Sequence, residues 1–220
     1  MFLATTADQR FWKKNEKVLF LGEWCKIYSQ KSIWSQLDYE VLPYHWNDRE
    51  KMYRDFQKLH ETYENCLAQL ADRLNQIHNL HFSTQYWRLI IGPWLFSFIE
   101  ILYDRFFSLQ EAAHSRKVSN TWIPPLSSEE AVPKDYAAFQ MGLTQDSYNL
   151  YLYSQIIMEI GELPYEVQQT ALSLDFPPRI PSSKRRSLKN VAKTLLSAAS
   201  KGVPAQFKQI SFVSSYLKPV

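Results

Sequence analysis

Three apolar runs near the N-terminus are each followed by a small polar cluster that could do chemistry. Asp8-Gln9-Arg10 follows Met1–Thr5, Gly22-Glu23-Trp24 follows Val18–Leu21, and Tyr44-His45-Trp46 follows Tyr39–Leu42. Each cluster pairs a proton acceptor or imidazole with an aromatic ring close by. Glu23, Asp8 and His45 are therefore candidate catalytic residues, suited to general-base removal of a proton from a hydroxyl. Glu23 is the first choice, because a carboxylate behind a glycine turn can reach a crevice and be tuned by desolvation. Trp24 and Trp46 are candidate platforms for a sugar or base ring. Arg10 and Arg88 are candidate guanidiniums for a phosphate or a sugar-acid carboxylate.

Every one of these residues also has a purely structural reading. Asp8 can cap the turn after its strand and pair with Arg10, and Glu23 can be a helix-start acid favoured by the macrodipole. His45 can be a hydrogen-bonded loop histidine. Arg88 sits in the first turn of an apolar helix, where its cation needs either an internal acid or an anionic ligand. Trp87 and Trp94 read as core. The Asp104-Arg105 pair reads as an ion pair on a helix flank. No pair among Asp8, Glu23 and His45 has helical or knuckle ligand spacing, so no metal site is expected from them. Cys25 has no histidine near it in sequence and makes a poor nucleophile.

The elements that must position these groups follow from periodicity. The three apolar runs read as buried parallel strands, which puts the residues just after each of them on one edge of a sheet. Ligands of open α/β sheets bind outside the carboxyl ends of the strands. Glu23–Gln36 can carry a helix of two to three turns. Apolar residues at helical spacing from Met52 to Ile77 predict a long surface helix over Asp48–His78, capped by Asn47 with Glu50. A second, more deeply buried helix runs from Ser83/Thr84 towards His114, and Gly92-Pro93 should kink it or break its first turns. Residues 118–145 read as a connection with one strand over Val118–Ile123. A further helix covers Gln145–Ile160, with Asp146 as a cap and Gly161 as its stop. An amphipathic helix over 184–201 and a strand over 209–217 complete the reading.

Composition narrows the function. Thirteen Tyr, thirteen Phe and seven Trp are a surplus, whereas five glycines leave no Gly-rich phosphate loop. A net charge of +3 is too mild to argue for nucleic acid. The basic run Lys184-Arg185-Arg186 reads as a solvated helix end. Two widely separated cysteines form neither a disulfide framework nor a CxxC knuckle, as fits a reducing cytoplasm. The longest apolar stretch, Ile90–Tyr103, is too short to span a bilayer.

The segments "FLATTADQRFW" (2–12), "LFLGEWC" (19–25), "YEVLPYHWNDR" (39–49), "YWRLIIGPWL" (86–95) and "NLYLYSQII" (149–157) resemble, in order, a bacterial transferase family. That family is encoded in gene clusters for lipopolysaccharide O-antigen and other surface polysaccharides. Its members are longer, so the resemblance implies an N-terminal part. It implies that residues 1–220 form a single α/β domain, a Rossmann-like parallel sheet with long flanking helices. This would be the acceptor-side lobe of a two-lobed, glycosyltransferase-like fold. A nucleotide-sugar donor would be held mainly by residues beyond this chain, with no further cofactor. The other expected partner is a glycan or lipid-linked glycan acceptor. Whether this chain is active alone is left open. Two alternatives stand beside the enzyme: a non-catalytic glycan- or partner-binding module of the same pathway, and a peripheral membrane-docking domain. In the last, helix 84–107 and the 184–189 basic run would meet lipid at the inner face of the membrane.

Overall fold

The three N-terminal runs are strands, the first two fully buried and the third half-buried at the sheet edge. β1 (Phe2–Ala4), β2 (Val18–Phe20) and β3 (Tyr39–Val41) are joined by β4 (Asn120–Ile123) and β5 (Tyr165–Val167). Every pairing is parallel, in the order β3-β2-β1-β4-β5. All six residues of β1 and β2 are buried to 0% exposure, so both faces of the central sheet are covered. This is why these strands read as continuous apolar runs rather than alternating ones. The chain builds outward from β1 to β3, then returns to the other side of β1, which makes β1 the point where strand order reverses. The architecture is α/β and Rossmann-like.

The computed structural model describes residues 1–115, 117–125 and 131–170, with Leu172 and Leu174. These lie within one compact unit, Met1–Phe176. The helix expected over 184–201, its basic run and the strand expected over 209–217 fall outside the described residues.

The connections differ from expectation in informative ways. The segment Glu23–Gln36 is not one helix. It is two 3-10 turns, Glu23–Cys25 and Tyr28–Gln30, followed by a single turn, α1 (Lys31–Trp34). Buried Cys25 and the Trp34 indole N–H, which donates to the Ile27 carbonyl, fold this stretch over the β2 end at the cost of helical regularity. The stretch 118–145 holds more than a strand, because Asp135 caps a short helix, α4 (Tyr136–Gly142).

Two long helices separate β3 from β4: α2 (Arg49–His78, 30 residues) and α3 (Thr84–Ser115, 32 residues). Asp48, not Asn47, caps α2, its carboxylate accepting from the Glu50 and Lys51 amides. Asn79, in the left-handed conformation, ends it. The Asn75 side chain then ties the turn, donating to the Phe82 carbonyl and accepting from the Phe82 amide and the Trp87 indole. α3 runs unbroken through Gly92-Pro93. Leu89, whose carbonyl Pro93 cannot pair with, lies on the solvent side, 72% exposed. Gly92 serves packing instead, since a Cβ there would meet the Tyr63 hydroxyl at 2.7 Å. Nor is α3 uniformly buried. Leu109 and Ala112 join the sheet core, Leu95 packs on Tyr63 and Leu67 of α2, and Leu89 and Ile90 face solvent. The last helix, α5 (Asp146–Ile160), stops at Gly161 with φ +67°.

The capping correction is testable. Asp48→Ala should lower unfolding stability by about 1 kcal/mol in urea titrations, while Asn47→Ala should leave it within a few tenths.

Candidate functional site

Outside the carboxyl ends of β1, β2 and β3 lies a crevice of about 810 Å³. Ala7 follows β1, Gly22, Glu23 and Trp24 follow β2, and Leu42–Tyr44 follow β3. The facing wall comes from α3 and α5. The parallel sheet requires this convergence, because each strand delivers its next residues to the same edge.

The wall opposite the strands carries groups that sequence reasoning did not assign to the site. Asp104 and Arg105 of α3 and Asn149 of α5 line the crevice. Arg105 donates to Asp104 at 2.6 Å and to the Asn149 amide oxygen at 2.7 Å. Asn149 is fixed in turn, its amide nitrogen donating to the carbonyls of Leu143 and Gln145. Arg105 Nε is buried with no protein partner. The ion pair expected between Asp104 and Arg105 forms, but it faces the crevice, with side chains only 11% and 18% exposed. A charged pair inside the apolar run "EILYDRFF" could have signalled this, since a buried charge there needs polar company.

Asp146 is placed differently from its expected role. Gln145 occupies the cap position of α5, and the Asp146 carboxylate reaches back to the loop after β1. There it accepts from the Thr6 hydroxyl and from the Ala7 amide at 3.0 Å. This locks the start of α5 onto the β1 end of the crevice.

Of the candidate bases, Glu23 is the one among the residues that line the crevice. It begins a 3-10 turn, is 78% exposed, and meets Lys26 at 3.0 Å. Asp8 caps the turn Gln9–Phe11, and Arg10 closes on it with its amide and guanidinium. Burial pushes the Asp8 carboxyl up, but the Arg10 hydrogen bonds outweigh it and leave the pKa below the usual range. His45 is buried, 3% exposed, with Nε2 at 3.1 Å from Asp104 and Nδ1 at 3.4 Å from the Lys51 ammonium. An ammonium only donates, so Nδ1 accepts and the Nε2–H is given to Asp104.

The remaining candidates divide in the same way. Trp24 lines the crevice, its ring parallel to that of Tyr153 with centroids 6.5 Å apart. Gly22 makes that pose possible, because a Cβ there would fall 2.1 Å from an indole carbon. Its backbone is extended, so the constraint is purely steric. Trp46 donates to Asp55 and stacks on Tyr103, away from the crevice lining. Arg88 makes a bidentate pair with Glu64 of α2, at 2.6 and 2.7 Å. The structure therefore brings together Glu23 and Trp24, keeps His45 one hydrogen bond behind Asp104, and leaves Asp8, Arg10, Trp46 and Arg88 outside the lining.

Electrostatically, Asp104 is the pivot. Burial raises its pKa, yet the hydrogen bond from His45, the Arg105 charge and the nearby Tyr44 hydroxyl overcome this and hold it below the usual carboxylate range. Burial, with the Asp104 charge, pushes the Tyr44 phenol upward. Among the described residues no three His, Cys, Asp or Glu side chains converge as metal ligands.

A parallel sheet with a polar crevice at its carboxyl edge, lined by Glu23 and by Arg105 held on Asp104 and Asn149, defines an α/β protein of Rossmann-like fold. The chain belongs to the LIC12162 family of transferases, whose family model matches residues 1–219. No curated protein and no solved structure matches it.

Two predictions follow from this geometry. Asp104→Ala should cost about 3–5 kcal/mol, because it strands Arg105 among buried neighbours. With its pKa depressed in the folded state, Asp104 contributes fully above the unfolded-state value near ~3.9. That contribution is lost as pH falls through the lower folded value, so the variant should show a shallower loss of stability in denaturation below pH ~4. Gly22→Ala should instead leave stability within about 1 kcal/mol, since a half-exposed indole can swing aside. Its signature should be a changed Trp emission spectrum.

Proposed function

We propose that this chain is the acceptor-side lobe of a glycosyltransferase-like enzyme of surface-polysaccharide (O-antigen) biosynthesis. The transferase class rests on family membership. The finer reading is carried by one observation: Glu23, Trp24, Arg105 and Asn149 all line one crevice at the carboxyl edge of the sheet.

In this reading an acceptor sugar lies against the Trp24 indole, where its apolar C–H face is sheltered. Glu23 takes the proton of the attacking hydroxyl. That hydroxyl oxygen then forms a bond to the anomeric carbon of a nucleotide-activated sugar, and the nucleotide leaves with the bonding electron pair. Glu23 suits the role better than its two rivals. Asp8 is closed off by Arg10, and His45 already gives its Nε2–H to Asp104 and accepts from Lys51 at Nδ1. Asp104 itself accepts from too many donors to act as a base. Arg105, held by Asp104 and Asn149, is the cation placed to meet a polar acceptor group; Arg10 and Arg88 are engaged by Asp8 and Glu64. The donor would be held mainly by residues beyond this chain, and the acceptor is a glycan, free or lipid-linked.

Acceptor-dependent release of nucleotide from nucleotide sugars, measured on the intact transferase, tests the assignment. Glu23→Gln should lower kcat about 10²–10⁴-fold with KM little changed, while Asp8→Asn should stay close to the parent rate. A Glu23→Gln enzyme that turns over normally would remove Glu23 from the mechanism. A parent protein that binds glycan without ever releasing nucleotide would make the chain a binding module.

A further inference from the structure

The strand ends that open onto the crevice withhold what an anion needs. In open α/β sheets a phosphate is held at the carboxyl edge by free backbone amides, by a glycine that lets it approach the chain, and by a helix start. At the end of β1 the Ala7 amide is already given to the Asp146 carboxylate at 3.0 Å, and the Asp8 amide to the Thr6 hydroxyl oxygen at 3.0 Å. The 3-10 turn Gln9–Phe11 follows, not a helix. At the end of β2 the glycine is present, but the Trp24 indole covers it, 2.1 Å from where a Cβ of residue 22 would stand. At the end of β3 stands Pro43, which has no N–H to give.

The opposite wall adds a repulsion. α5 begins there, and its first residue is Asp146, so a carboxylate of the protein itself stands where a helix start would hold a ligand's phosphate. Three carboxylates line the crevice, Glu23, Asp104 and Asp146, against one guanidinium, Arg105. Pairing does not change the sign. Arg105 is bound to Asp104 at 2.6 Å, and Glu23 meets Lys26 at 3.0 Å. Lys26 is outside the lining, its ammonium 5.3 Å from the Trp34 ring centroid and 5.0 Å from that of Tyr39. The donors to Asp146, the Thr6 hydroxyl and the Ala7 amide, are both neutral and leave its charge in place.

The rest of the lining suits a sugar without charge. Trp24, Ile27 and Tyr44 are lining residues that remain 38%, 42% and 39% exposed, and such faces shelter the C–H side of a pyranose. Carboxylates that repel an anion still accept hydrogen bonds from its hydroxylated, uncharged counterpart.

We propose that the crevice selects uncharged, hydroxyl-rich glycan and refuses phosphate and sugar-acid carboxylate, with Asp146 as the specificity-determining residue. The proposal rests on the acceptor-side reading above and narrows it. The diphosphate of a donor, and any phosphate of a lipid-linked acceptor, would lie outside these strand ends.

Binding of the 220-residue chain to an array of matched oligosaccharides tests it, each pair being a neutral hexose backbone and the same backbone ending in a hexuronic acid. The parent should retain the neutral members about tenfold better, through like-charge repulsion of the acid. Asp146→Asn keeps the shape and an oxygen for the Ala7 amide, and should narrow the gap to within about threefold. Glu23→Gln, at a side chain 78% exposed, should narrow it as well. Preference of the parent for uronic members, retention of neither member of any pair, or an unchanged gap in an Asp146→Asn chain that melts like the parent overturns the proposal. Where Asp146→Asn does not melt like the parent, an unchanged gap in Glu23→Gln overturns it instead. Turnover is read separately. A neutral preference beside a fully active Glu23→Gln enzyme removes only the base, and a uronic preference beside an inactive one removes only the charge selectivity.

Discussion

The Asp104 carboxylate carries more of this structure than its position in an apolar helix would lead one to expect. Its neighbours come from three separate elements: His45 and Tyr44 from the loop after β3, Arg105 from α3 itself, and through Arg105, Asn149 of α5. A buried carboxylate without such donors would be strongly unfavourable, so the pairing fixes how these elements meet. The same network extends outward. Lys51 reaches both His45 and Asp55, and Asp55 also accepts from the Trp46 indole. The root of the α2–α3 hairpin and the wall of the crevice are therefore held by one connected set of polar contacts, and a change in one is felt in the other.

What could be read from the sequence was whatever a short window contains. β1 and β2 were legible because strands covered on both faces must be apolar throughout, whereas β3, half-buried at the sheet edge and carrying Glu40, showed only as a short run bounded by polar residues. The convergence of three post-strand clusters was legible for the same reason. Which side chain of each cluster enters the crevice was not. Whether Asp8 turns to solvent or to Arg10 depends on one backbone turn, and whether His45 opens to the crevice depends on α3, far away in sequence. The long helices announced themselves by periodicity, but Asp48 displaced Asn47 as cap through a one-residue difference in entry angle, which lies within the resolution of any pattern. The short helix α4 and the strand β5 escaped notice because neither has enough residues for a period to repeat. The contribution of α5 to the site was hidden in a different way. Asp146 sits where caps sit, yet its carboxylate is spent on Thr6 and Ala7, a contact between residues at opposite ends of the described chain.

The aromatic surplus has no single cause. Part of it is sheet core, as in the edge-on contact of Phe2 with Trp122, and part is helix packing, as in the stacking of Trp94 on Phe98. Trp24, parallel to Tyr153 and packed over Gly22, lines the crevice together with the ring of Tyr44. α3 draws on the surplus at every level. It meets solvent at Leu89, α2 at Leu95, α5 near Phe98, the crevice at Asp104 and the sheet at Leu109. A helix with so many successive environments cannot keep one apolar stripe along its length, which is why it reads as apolar nearly all round.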